Sequence, residues 1–143
     1  MSLHELLERV KAASGPDREL DAAIHMAVLP DDFASKIMRG DYATHSWRLG
    51  SGGVSYVSPN SGGTSGGSHP VAAYTASIDA AVALIERVLP GCEWDVSTAS
   101  GGRAGYEVEI VRPHGGAWTR PGPTPPLALI AALLEAKIAE DKP

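Results

Sequence analysis

At 143 residues, 43% of them hydrophobic and 20% charged, the chain is long enough to bury a real core and has the composition of a globular protein. Its net charge of −5, with 12 Lys and Arg spread along the chain, argues against duplex nucleic-acid binding, which draws its affinity from a basic face. A single cysteine, Cys92, leaves no internal disulfide, and no apolar run is long enough to span a bilayer.

Ser2-Leu3-His4-Glu5 matches a capping box, and Leu3, Leu6, Leu7 and Val10 share one face of the helix that follows. Gly15-Pro16 ends it. A second helix carries the stripe Leu20, Ile24, Ala27 and Val28 and closes at Pro30, so residues 1–30 predict a helical hairpin. "DDFASKIMRGDYATHSW" has room for a short helical turn. "HSWRLG" and "VSYVS" predict short strands around Gly50-Ser51-Gly52-Gly53. The stretch from Ser58 to Pro70, "SPNSGGTSGGSHP", predicts a flexible loop. It lacks the lysine of a phosphate-binding P-loop and the glycine spacing of a dinucleotide fingerprint.

Periodicity returns in "YTASIDAAVALIERVL". Thr75 or Ser77 is the expected cap, and Ile78, Val82, Ile85 and Leu89 the expected buried stripe. Pro90-Gly91 stops that helix. Cys92, Trp94, Val96 and Thr98 then alternate with Glu93, Asp95 and Ser97, and a second strand alternates Tyr106, Val108 and Ile110 with Glu107 and Glu109. "GGAWTRPG" suggests a third strand. Thr124-Pro125-Pro126 opens the last helix, with Leu127, Ile130, Ala131, Leu134 and Ile138 as its packed face. Together these elements predict one α+β domain over residues 1–143. Its antiparallel sheet is layered with helices in an α/β/α sandwich-like arrangement, behind an N-terminal helical hairpin and with a flexible loop at residues 58–70.

The outward acids Glu93, Asp95, Glu107 and Glu109 are spread over two strands and read as a solvated sheet face, with Arg103 and Arg112 offsetting their repulsion. His4, His25, His45, His69 and His114 show no zinc-ligand spacing, and neither a cofactor nor a metal is expected. The segments that stand out combine aromatic, guanidinium and glycine. Trp47-Arg48 precedes Gly50-Ser51-Gly52-Gly53, and His114 lies near Arg112, Trp118 and Arg120 in a Gly/Pro-rich segment. Rings stack on bases, guanidinium forks hold phosphates, and glycines let backbone approach a ligand. The candidate ligand-binding residues are therefore Trp47, Arg48, Gly52, Gly53, Arg103, His114, Trp118 and Arg120. No nucleophile motif, zincin motif or Ser/His/Asp order marks a catalytic set.

"ASGPDRELDAAI", "YTASIDAAVALIERVLPG" with "WDV", and "TPPLALIAALLEA" resemble segments of small prophage and alphaproteobacterial proteins of uncharacterised role, related to the phage ABA sandwich-type domain. The resemblance covers residues 12–24 and 74–135. It implies a phage context and an α/β/α-layered fold, and it carries no catalytic residues to transfer. The helix-strand-strand-strand-helix order also resembles a double-stranded RNA-binding domain. That family needs a lysine cluster at the start of its last helix, and here no basic residue occurs before Lys137.

The expectation is a non-enzymatic, phage-derived sponge protein. It would sequester a nucleotide immune signal, such as a cyclic oligonucleotide or a cyclic ADP-ribose derivative, in the host cytoplasm. The alternatives are a protein-interaction module that uses the N-terminal helices, or a small nucleotide hydrolase with His114 as its base. The expected partner is a small-molecule nucleotide, with neither duplex nucleic acid nor membrane. The apolar faces of the first two helices offer surface for a homo-oligomer.

Overall fold

The structure is a computed structural model that describes residues 2–42, 44, 46–58, 65–98, 105–113 and 116–141, with only the backbone at 118–120 and 141. Its elements run α1 (Leu3–Ala12), α2 (Arg18–Val28), α3 (Phe33–Arg39), β1 (Ser46–Leu49), β2 (Gly53–Val57), β3 (Gly66–Pro70), α4 (Ile78–Val88), β4 (Glu93–Thr98), β5 (Tyr106–Val111), β6 (Ala117–Gly122) and α5 (Pro125–Asp141). The chain is α+β, with helices at its N-terminus and two antiparallel three-stranded sheets, β1-β2-β3 and β4-β5-β6. Contacts divide it into two compact units: Met1–Asp17 together with Tyr74–Pro143, and Arg18–Ala73. None of the helices among the described residues is long and apolar enough to cross a membrane.

In the first unit, Ser2 caps α1 by accepting from the Glu5 amide at 3.1 Å, and Leu6, Leu7 and Val10 are buried. Ser77 caps α4, accepting from the Ala80 amide at 3.2 Å. Thr75, the other expected cap, does a different job. Its hydroxyl accepts from the Asp17 amide at 2.8 Å and donates to the Asp17 carbonyl at 3.2 Å, joining two segments far apart in sequence. The buried stripe of α4 is Ala81, Leu84 and Ile85, continued by Leu89. Ile78, expected in that stripe, is 45% exposed, because the first helical position precedes the turn that reaches the core.

The centre of this unit is α5. Thr124 precedes it, accepting from the Ala128 amide through its carbonyl at 3.1 Å, and the prolines occupy the first turn, where no amide is missed. The expected packed face is buried, and so are Ala128, Leu129, Ala132, Leu133 and Ala136 between its members. A helix that is apolar all round is stable in water only when neighbours cover every side. Here β5 and β6 cover one side, and α1 and α4 cover the others. Val108 and Ile110 of β5 are fully buried, whereas β4, at the sheet edge, leaves Trp94 39% exposed. Asp95 pairs directly with Glu109 across β4 and β5. Arg112 pairs with Glu140 of α5.

In the second unit, Leu20, Ile24 and Val28 of α2 are buried, with α3 packed against both α2 and the β1-β2-β3 sheet. His25 is 3% exposed, and its Nε2 lies 2.8 Å from Asp32 Oδ2. Asp32 is in the capping position of α3 but makes no side-chain cap, because its carboxylate is turned to His25. Ser35 donates to the Leu29 carbonyl at 2.7 Å. The stretch expected as a loop at 58–70 ends in a strand, since Gly66–Pro70 is β3. Tyr56 explains the glycine there: a Cβ at Gly66 would lie 1.9 Å from the Tyr56 carbonyl oxygen, so only glycine lets these strands meet. Residues 59–64 lie outside the described residues.

Candidate functional site

Strand alternation gives the β1-β2-β3 sheet two unlike faces. Trp47 pairs with Tyr56, and Leu49 pairs with Val54, which pairs in turn with His69. This is the side on which Phe33 of α3 packs. The Phe33 ring lies 4.3 Å from that of His69, 4.6 Å from that of Tyr42 and 5.8 Å from that of Tyr56, all edge-on, the favoured geometry for aromatic pairs. Tyr56 and His69 stack at 5.8 Å. The rings fill one another's space, so this side is a small core with Trp47 and Tyr42 at its exposed margin.

The opposite face is polar. Arg48 pairs with Ser55 and Ser55 with Ser68, so one guanidinium and two hydroxyls form a row across all three strands. All three are exposed. Between Asp41 and Asp79, Arg48 is the only Lys, Arg, Asp or Glu in the sequence. Among the described residues, no carboxylate pairs with it.

Two open concavities adjoin this row. One, of about 550 Å³, is lined by Arg48, Ser55, Ser68, the 50–53 turn and the end of β3 at His69 and Pro70. The other, of about 400 Å³, is lined by Ser46, Trp47, Arg48, Ser55, Tyr56 and Val57. Arg48 and Ser55 border both. The turn is tight: the Gly50 amide donates to the Gly53 carbonyl at 2.8 Å. Gly53 has φ +146°, and a Cβ there would lie 2.2 Å from the His69 carbonyl oxygen. Glycine is therefore required to bring the turn against β3, and backbone rather than side chains forms that wall.

The structure gathers Arg48, Gly52 and Gly53 around the larger concavity and places Trp47 beside the smaller one. Trp118 and Arg120 lie on β6 of the other unit, at positions paired with Ile110 and Val108. Arg103 and His114 lie outside the described residues. Ser55 and Ser68 are site residues that reading along the chain missed, because only the cross-strand register puts them level with Arg48. A legible signal was present in the long charge-free run interrupted by Arg48 alone. Among the described residues no group of three His, Cys, Asp or Glu could hold a metal ion.

No protein-family model matches the chain, and no curated protein or solved structure is significantly similar to it.

Proposed function

We propose that this chain is a non-enzymatic binding protein that captures a phosphorylated nucleotide on the Arg48 face of its smaller sheet. The observation that carries the reading is the row Arg48–Ser55–Ser68: a guanidinium among hydroxyls, with no carboxylate paired to it among the described residues, beside a turn made of glycine and serine. A guanidinium holds two phosphate oxygens at once, and hydroxyls donate to a third. Glycine backbone lets the rest of the ligand come close. The larger concavity falls within the range of small-molecule sites. By the resemblance to prophage proteins, the ligand is a nucleotide signal of host immunity, held in the host cytoplasm and withdrawn from its receptor.

Thermal unfolding in the presence of cyclic dinucleotides, cyclic trinucleotides and ADP-ribose derivatives tests this. A ligand at a hundred times its dissociation constant adds about 2.7 kcal/mol of stability. One class is expected to raise the melting temperature, to be recovered unchanged after denaturation, and to lose its effect in Arg48→Ala. The lost charge-assisted bonds are worth about 1.5–3 kcal/mol, or roughly 10–150-fold in affinity. A flat panel for the wild-type chain defeats the proposal and favours a protein partner. A ligand returned chemically altered makes the protein an enzyme.

A further inference from the structure

We infer that Arg18 is a positioning residue for this binding face, a guanidinium latch that fixes the glycine turn before a ligand arrives. The inference rests on the reading of the Arg48 face given above.

Arg18 stands at an unfavourable place. It is the first residue of α2, where the helix dipole disfavours a cation. Its surroundings offset that. Nη1 donates to Asp21 Oδ2 at 2.9 Å and to the Ala72 carbonyl at 3.2 Å. Nη2 donates to the Gly50 carbonyl and to the Val71 carbonyl, both at 2.9 Å. Asp21 is 1% exposed, so its charge is held at one point of the fold and in turn fixes the fork.

The three carbonyls belong to one end of the sheet. Gly50 begins the turn between β1 and β2, while Val71 and Ala72 follow the end of β3. Gly53 pairs with Pro70, so antiparallel register brings turn and exit together. Within the turn the Gly50 amide is already bonded to Gly53, and the Gly50 carbonyl is given to Arg18. Residues 50–53 have no large side chain to pack, and glycine loses the most backbone freedom on ordering. An unlatched turn would have to be ordered by the ligand, at the expense of affinity. A planar fork can hold three carbonyls and a carboxylate together, whereas an ammonium on a flexible stem cannot hold the same set.

The discriminating variant is Arg18→Lys, which keeps a positive charge beside the buried Asp21 and so protects the fold. Three quantities are measured on the full chain: circular dichroism, hydrogen exchange of the Gly50 amide that is bonded to the Gly53 carbonyl, and the dissociation constant for ADP-ribose across a salt series. The expected result is an unchanged fold, about tenfold faster exchange in the turn, and about tenfold weaker binding, the value of one charge-assisted hydrogen bond. The salt dependence of binding should equal that of the wild type, because Arg18 does not touch the ligand. In Arg48→Gln it should flatten, because a direct ionic contact is lost. Wild-type affinity in Arg18→Lys, or turn exchange as slow as in the wild type, overturns the inference. Failure of the wild-type chain to bind ADP-ribose instead sinks the reading of the face. Turn exchange then decides for Arg18 alone, with faster exchange upholding the latch and unchanged exchange refuting it.

Discussion

The unit built on α5 and the unit of residues 18–73 hold themselves together by different means. The first has Leu127, Leu129, Ile130, Leu133 and Leu134 fully buried on a single helix, each such side chain contributing about 1.5–3 kcal/mol by leaving water. The second has a sheet in which six of the fourteen strand residues are glycine or serine. Of β2 and β3, only Gly53 and Val54 are fully covered. Beside the buried Leu20, Ile24 and Ile37, this unit relies on side chains that hold backbone and one another: Arg18 on three carbonyls, Asp32 on His25, Ser35 on Leu29 and Arg39 on the Pro30 carbonyl at 2.8 Å. Asp21, His25 and Ser35 are buried polar groups of that unit, against Thr75 in the other. A sheet with one exposed polar face has few side chains to bury, and directional bonds supplement the apolar packing of α2 and α3. Such bonds fix geometry more sharply than they add stability.

That contrast can be broken by mutation, and the largest effect belongs to the aliphatic unit. Leu133→Ala opens a cavity where α5 is covered on every side and should cost about 2–5 kcal/mol by chemical denaturation. A loss under 1 kcal/mol would mean that α5 is not the centre of that core. Asp32→Ala comes next, at about 1–3 kcal/mol, because the almost fully buried His25 loses the Asp32 carboxylate. Hydrogen exchange should localise the loss to α2 and α3, and a silent Asp32→Ala would show that packing alone orders the smaller unit. Ser77→Ala sharpens the comparison at the low end. It removes one cap from α4 and should cost about 1 kcal/mol, with the neighbouring core intact. A larger loss, accompanied by faster exchange in α5, would tie the cap to the packing of the whole unit.

The helices were the most legible part of the chain. Capping serines, terminal prolines and the 3.6-residue stripe put α1, α2, α4 and α5 where they lie, and alternation placed β4 and β5. Less legible was whatever depends on a partner strand or helix. From Leu127 to Leu134 every position of α5 is Leu, Ala or Ile, so periodicity names one packed stripe where the fold buries the whole run. Gly66–Pro70 reads as loop, because the reason for its glycines is the Tyr56 backbone on the neighbouring strand. At the candidate site Arg48 and the glycine turn were visible, since charge and glycine are local signals. Ser55 and Ser68 were not, since register is a property of pairs. Arg18 left a trace, as a cation at a helix start invites the question of what it holds.

The hydrogen bonds between Thr75 and Asp17 have a consequence for where the chain tolerates a change of length. The polypeptide leaves the first unit after Asp17 and re-enters it at Tyr74, and the two crossing points are bonded to each other within that unit. Residues 18–73 thus have the character of an insertion: a cassette spliced in at one spot, whose two ends already meet. Closing a loop costs free energy that grows only slowly with its length. Lengthening or exchanging residues 18–73 should therefore leave α1, α4, α5 and their sheet in place.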